Sequence, residues 1–301
     1  MLRPFELSEP ASVAEASELL ARHGDAARIY AGGTELILAM KEGLIHYEHL
    51  VNVKTIPGLA GLRIDGGTLR IGAATPHRAI ERDPLVRQHF SAVARMEADV
   101  ANVRVREVGT LGGNLCFAEP HADPGALLQV FDATVRIENK GSGRTIPLEK
   151  LFVGPFETCL EGDELLTEIT VPALPARSAA AYLKFGFLER PSVGVGVAVT
   201  LDDGHVADAR IAVGSVGPVP RRMREAEAQL KGKAMAEAAL SAIALPRRSS
   251  KARRWPRAPP RSRRRAGSPD ARPTPSPICT VRPSTRNTWS ACSCGGPGSK
   301  R

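Results

Sequence analysis

Two short stretches carry the residues best suited to chemistry on this chain: Ala31-Gly32-Gly33-Thr34-Glu35 and Thr110-Leu111-Gly112-Gly113-Asn114. Glycine tolerates positive φ and lets a ligand approach backbone N–H groups with no Cβ in the way. Successive amides around such a corner, with a helix starting after Thr34 through Leu36 and Ile37, form a concavity suited to anionic oxygens. Two such corners suffice to hold the two phosphates of a dinucleotide from opposite sides. Taken alone, either corner reads more simply as ordinary turn formation than as a site, because Asp65-Gly66-Gly67 has the same composition and reads as a hairpin turn. Neither stretch matches G-x-x-x-x-G-K-[ST] or G-x-G-x-x-G, so a Walker loop and a Rossmann fingerprint are both unsupported. The Val-Gly alternation from Val193 to Val199 fits a strand packed closely against a neighbour.

Other constellations are weaker. Asp123 beside His121 reads as a metal pair or an acid–base pair, or, more simply, as a helix N-cap before Pro124 and an exposed loop histidine. Lys184, in an apolar strand, is either a cation for a cofactor or a snorkelling edge lysine. Cys116 and Cys159 are far apart and form no C-x-x-C, which argues against a disulfide framework, a zinc site or an iron–sulfur cluster on this chain. No H-x-x-x-H or G-x-S-x-G occurs, so hydrolytic and metal-centred catalysis lack support and no catalytic side chain is named.

The elements that must position these corners follow from patterning. Ser12 and Glu15 form a capping box for a first helix that Gly24 ends. A short strand from Arg28 runs into the first corner, and Leu50–Lys54 is another. Leu62–Ala73 and Glu138–Leu148 read as hairpins. A helix starts at Thr75-Pro76, a longer one covers much of Pro84–Ala98, and the second corner leads into a loop, a short helix at Ala126–Val130 and a strand. Beyond Pro172–Ser178 the texture changes to three strands and two Ala/Glu-rich helices. The expected organisation is residues 1–175, 176–245 and a tail of 246–301.

Charge separates that tail from the rest. The net charge is +9, yet 15 of the 41 basic residues and only one of the 32 acidic ones lie from Pro246 onward, leaving the preceding chain at −5. The tail also holds 10 of the 24 prolines and no Leu or Phe, so disorder is expected. Its arginines offer electrostatic nucleic-acid binding, but the acidic body lacks a basic stripe. No apolar run is long enough to span a bilayer and the N-terminus lacks a signal pattern, which makes the cytoplasm the expected location.

Taken in order, "FELSEPASVAEASELL", "AGGTEL", "VGTLGGNL", "ADPGALLQVFDATV", "GDELLTEITVP", "YLKFG" and "RIAVGSVGPVPRRMREAEAQLKGK" resemble the FAD-binding (medium) subunit of the molybdenum hydroxylases across residues 2–244. That family includes the carbon monoxide and xanthine dehydrogenase types. The resemblance implies an α+β fold. A two-lobed FAD domain of the p-cresol methylhydroxylase-like type is followed by a small C-terminal domain with a three-stranded sheet and helices. Ala31, Gly32, Gly33, Thr34, Glu35, Leu36 and Ile37 would wrap the FAD pyrophosphate with Thr110, Leu111, Gly112, Gly113 and Asn114. Asp123, Leu166 (or its neighbour Leu165) and Lys184 match further cofactor positions.

The implied partners are a small [2Fe–2S] subunit and a large molybdopterin subunit, with NAD, quinone or dioxygen as external acceptor. The chain would be an electron-transfer subunit whose cofactor does the chemistry. A stand-alone flavin oxidoreductase and a nucleic-acid-binding protein are the alternatives. Two departures from the family pattern stand out. The cluster-binding insertion of benzoyl-CoA-type reductases is absent. Leu188 and Ser192 occupy places where the family shows Arg and Asp, with Arg190 displaced, which leaves the acceptor side open. The family's C-terminal D-x-H-G-S-x-E-Y-[KR] segment is also missing. Suitable codons for Pro277 onward, read one nucleotide earlier, spell such an ending, so a frameshift near Ala244–Pro246 and a shortened C-terminal domain are expected.

Overall fold

Ser12 Oγ accepts the Glu15 N–H (3.1 Å) and Glu15 Oε2 reaches back to the Ala11 N–H (2.8 Å), which starts the first helix as the capping pattern predicts. The computed structural model describes residues 2–186 and 189–235, all within one compact unit. Strand β1 (Glu6–Ser8), helix α1 (Val13–His23), β2 (Ala27–Tyr30), α2 (Leu36–Lys41) and β3 (His49–Asn52) build the first lobe. Its sheet has the order β1-β3-β2 with both pairs parallel. Parallel neighbours need crossovers, and α1 and α2 provide them. Ala16 and Leu20 of α1 bury against Val51, Val53, Ile56 and Leu59.

The second lobe is a five-stranded antiparallel sheet with a helical insertion. The hairpin β4 (Leu62–Asp65) and β5 (Thr68–Gly72) leads to α3 (His77–Arg82), α4 (Pro84–His89), α5 (Ser91–Asp99), α6 (Val103–Val108), α7 (Leu111–Phe117) and α8 (Pro124–Val130). The chain returns through β6 (Thr134–Glu138), β7 (Gly143–Pro147), the small ribbon β8 (Phe152–Gly154) and β9 (Glu157–Thr158), and β10 (Leu165–Pro172). The sheet order is β4-β5-β10-β6-β7. The helix expected over Pro84–Ala98 is two helices broken at Phe90, whose ring is 2% exposed and lies 6.5 Å from that of Phe131. Burying that ring turns the chain out of helical geometry, with Phe90 at φ −130°, ψ 47°. The second corner itself opens α7, and the expected loop follows over residues 118–123 before α8.

The C-terminal sheet, β11 (Ser178–Phe185), β12 (Val193–Asp202), β13 (His205–Gly214) and β14 (Arg221–Arg222), is antiparallel in that order and is followed by α9 (Arg224–Leu230). It has four strands rather than the three expected, the fourth being two residues that pair with Ala212 and Val213. Every residue of α8 is buried, as befits a helix covered on all sides. The Val-Gly alternation is explained here: a Cβ on Gly196 would lie 2.8 Å from Ala126 O and 2.9 Å from Leu127 Cα of α8. Leu188, the second Ala-rich helix and the tail from 246 lie outside the described residues.

Candidate functional site

The first corner is held from behind. Val53 N–H bonds Tyr30 O (3.0 Å) to close the end of β2, and Ile37 N–H bonds Gly33 O (2.9 Å) to start α2. Between these anchors, no protein acceptor among the described residues takes the N–H of Gly32, Gly33, Thr34 or Glu35. Polar backbone left unpaired by the protein is ready for a ligand or water. Gly32 is required by proximity: a Cβ there would run into Val108 O and lie 2.6 Å from Gly109 Cα, just ahead of the second corner.

The second corner works differently. Thr110 caps α7 by accepting the Gly113 N–H (3.1 Å), Leu111 N–H goes to Thr75 O (3.1 Å), and Gly112 N–H goes to Ala73 O (2.9 Å). Its amides are committed to the protein, so only the first corner offers an amide cradle of the expected kind. The second instead contributes an exposed glycine and a side chain. Gly113 is exposed, a Cβ on it would sit 4.0 Å from Ala31 Cβ, so the two corners lie side by side, and the buried Oδ1 of Asn114 has no partner. An orphaned buried acceptor of this kind needs a ligand donor or water to be satisfied.

Asp123 occupies the N-cap position of α8, yet its side chain makes no cap bond. Instead Oδ1 accepts the Tyr182 hydroxyl (2.8 Å) and Oδ2 bonds Lys184 Nζ (3.3 Å). Burial raises the Asp123 pKa above the usual carboxylate range, while the Lys184 charge and the Tyr182 hydrogen bond pull it back in part. Lys184 is no snorkelling edge lysine: it also donates to Asp99 O and to Glu189 O (3.1 Å) and is 20% exposed. Tyr182 escaped the sequence reading, although the period-two rule puts it on the same face of β11 as Lys184.

Leu165 and Leu166 are buried in β10, just before a bulge. There Thr167 O accepts the Ala73 N–H (3.0 Å), which ties the strand to the backbone that supports Gly112. His121 is half exposed and bonds Glu119 rather than Asp123 (2.9 Å). Among the described residues no cluster of His, Cys, Asp and Glu is arranged to hold a metal ion. Burial pushes the Cys116 thiol up to about 12, which keeps it protonated and inert. A cleft of about 420 Å³ lies elsewhere, lined by Arg63, Arg70, Arg136, Glu138 and Glu168. Its guanidiniums are already paired with Glu168 and Glu138, so it offers no uncommitted cation; the candidate site is instead the trough taken to run along the unpaired Gly32–Glu35 amides.

Residues 3–174 match the family of the FAD binding domain in molybdopterin dehydrogenase. The chain belongs to this family. As an FAD-binding subunit of the molybdenum hydroxylase family, it is an oxidoreductase component whose cofactor is FAD. Residues 190–262 of this FAD subunit match the CO dehydrogenase flavoprotein C-terminal domain. It is 34% identical to the carbon monoxide dehydrogenase medium chain of Hydrogenophaga pseudoflava, covering 80% of this chain and 84% of that one. It is 30% identical to the nicotinate dehydrogenase FAD-subunit of Eubacterium barkeri, covering 77% and 81%. The solved carbon monoxide dehydrogenase from H. pseudoflava superposes with a TM-score of 0.77 at 34% identity, covering 81% and 88%. No helix among the described residues is long and apolar enough to cross a membrane.

The trough suits FAD on its own chemistry. Four unpaired amides in succession form a nest for diphosphate oxygens. The unpartnered Asn114 acceptor can take a hydroxyl or amide proton.

Proposed function

We propose that this FAD subunit carries electrons within a multi-subunit dehydrogenase, accepting them from [2Fe–2S] clusters on a small partner subunit. A large molybdopterin subunit would hold the organic substrate. FAD supplies the redox chemistry, exchanging electrons between those clusters and an external acceptor such as NAD, a quinone or dioxygen. The observation that carries the reading is the run of unpaired amides from Gly32 to Glu35, with the orphaned Asn114 Oδ1 on the neighbouring corner. Membership of the family supports it.

In this reading Ala31, Gly32, Gly33, Thr34, Glu35, Leu36 and Ile37 hold one side of the diphosphate, and Thr110, Leu111, Gly112, Gly113 and Asn114 line the other. Gly113 and Asn114 face the ligand, while Leu111 and Gly112 set the backbone path behind them. Asp123 and Lys184 act as one unit, the ammonium neutralising the buried carboxylate and tying Glu189 of the β11–β12 loop to the end of α5, and Leu166 is a further cofactor position. Residues 1–175 form the FAD domain and 176–245 the C-terminal domain, and the subunit works in the cytoplasm.

The test is the flavin content of the purified full-length chain, read by absorbance and by acid release. Near one FAD per chain is the expected result. A chain without flavin that takes up none from excess FAD would refute the assignment of the trough.

A further inference from the structure

A cradle for a diphosphate should not be bordered by carboxylates, yet two border this one. Glu35 contributes the last of the unpaired amides and carries its own carboxylate at 37% exposure, and Glu119 follows the end of α7. Both meet a single cation. Arg190 donates from Nη2 to both oxygens of Glu35 (2.8 and 2.9 Å) and from Nη1 to Glu119 Oε2 (2.6 Å). The guanidinium fork therefore spans from the first corner to the segment after the second, joining residues 155 and 71 positions away in sequence.

The loop that carries Arg190 is placed by its own chemistry. Ser192 N–H bonds Phe185 O (2.8 Å) at its base. A Cβ on Gly186 would lie 2.8 Å from Arg190 O, so only glycine lets the loop fold this tightly. Lys184 Nζ and Asn102 Nδ2 hold the neighbouring Glu189 through its carbonyl (3.1 Å) and its carboxylate (2.7 Å). His121 completes the rim by bonding the second oxygen of Glu119.

We propose that Arg190 is the counter-ion that makes this rim compatible with an anionic cofactor. It neutralises two carboxylates that would otherwise repel the diphosphate. This inference rests on the reading that FAD lies along Gly32–Glu35. It assigns Arg190 a charge-balancing role, not a place in the chemistry.

The experiment is FAD binding to the flavin-depleted full-length chain, followed by flavin fluorescence at 20 mM and at 0.5 M salt. The proteins compared are wild type, Arg190→Gln, Arg190→Lys and the triple variant Arg190→Gln/Glu35→Gln/Glu119→Gln. Arg190→Gln should raise the FAD Kd about tenfold at low salt, as expected for a rim charge acting on a charged ligand. The deficit should shrink below about threefold at 0.5 M salt, where screening acts over about 4 Å. Arg190→Lys should lose less, and removing the two carboxylates in the triple variant should restore binding to within about twofold of wild type at low salt. If wild type binds FAD and Arg190→Gln binds it equally well, the counter-ion role is wrong and the trough stands. A deficit that ignores salt and is not rescued in the triple variant also overturns the role, because it marks lost packing. If wild type itself binds no FAD, the trough reading falls and takes this inference with it.

Discussion

Gly32-Gly33 and Gly66-Gly67 are the same dipeptide in the same chain, each leaving a β-strand. At the hairpin between β4 and β5 both glycines have positive φ (55° and 78°), and the nearest atom a Cβ could meet is Ala173 Cβ at 4.0 Å. Conformation alone asks for glycine there. At the first corner, Gly32 has no such φ, and its missing Cβ is what lets the backbone ahead of α7 come close. Gly33 combines positive φ (70°) with the Tyr30 ring against it. One pair turns a chain in solvent. The other lets two lobes meet around a row of free amides, and that meeting makes a site.

Breaking the second kind of glycine should cost far more than breaking the first. Gly32→Ala must separate the two corners, because the obstructing atoms belong to the backbone. We expect less than about a tenth of wild-type FAD content and a stability loss of about 3 kcal/mol, read by acid-released flavin and by denaturant titration. Gly112→Ala would place a Cβ 2.6 Å from Ala73 O. It should cost about 2 kcal/mol and weaken FAD binding less, because the amides of this corner already serve the protein.

Tyr182→Phe removes the hydroxyl from Asp123 while keeping the ring. Loss of one buried hydrogen bond to a carboxylate should cost about 1–2 kcal/mol. The melting temperature should fall while the far-UV CD spectrum stays unchanged. The pH dependence separates this network from the surface pairs. Asp123 has its pKa raised by burial above 3.8, so from 3.8 up to that raised value the folded chain keeps a proton the unfolded chain has released. Its contribution therefore becomes less favourable as pH rises through that window. Denaturant titrations between pH 3.5 and 6 should show wild type losing ground to Asp123→Asn as pH increases. Glu227 shifts the other way. Burial pushes it up, but the Arg222 hydrogen bond and the Ile211 N–H outweigh that and lower it below 4.5. Its stabilisation is present above 4.5 and disappears as pH falls through the lowered value, so Glu227→Gln should flatten the acid limb of the stability profile. The smallest effect belongs to the hairpin: Gly66→Asn, in a left-handed position asparagine accepts, should change stability by less than about 0.5 kcal/mol and leave flavin content untouched.

Composition and spacing made both corners visible, along with the first helix and its cap, the two hairpins and the C-terminal strands. They did not show what each glycine serves, because that depends on what lies across from it, and Val108 is 76 residues from Gly32. Helix α7 was hidden by Gly112 and Gly113, poor helix formers whose helix depends on the Thr110 cap and on bonds to Thr75 and Ala73. The break at Phe90 reflects burial of one ring, which periodicity cannot register. Tyr182 was legible in principle from alternation along β11, but only Lys184 had drawn notice as a charge. The cofactor's identity was legible through the ordered run of motifs and not through either corner alone, and family membership bears it out.

The most direct test of the account is the ratio of FAD to protein in full-length Gly32→Ala and Gly66→Asn, purified and measured side by side with wild type. The account predicts near-stoichiometric flavin in wild type and Gly66→Asn and almost none in Gly32→Ala. Equal flavin in the two variants, whether retained or lost together, would contradict the claim that the meeting of the corners builds the site.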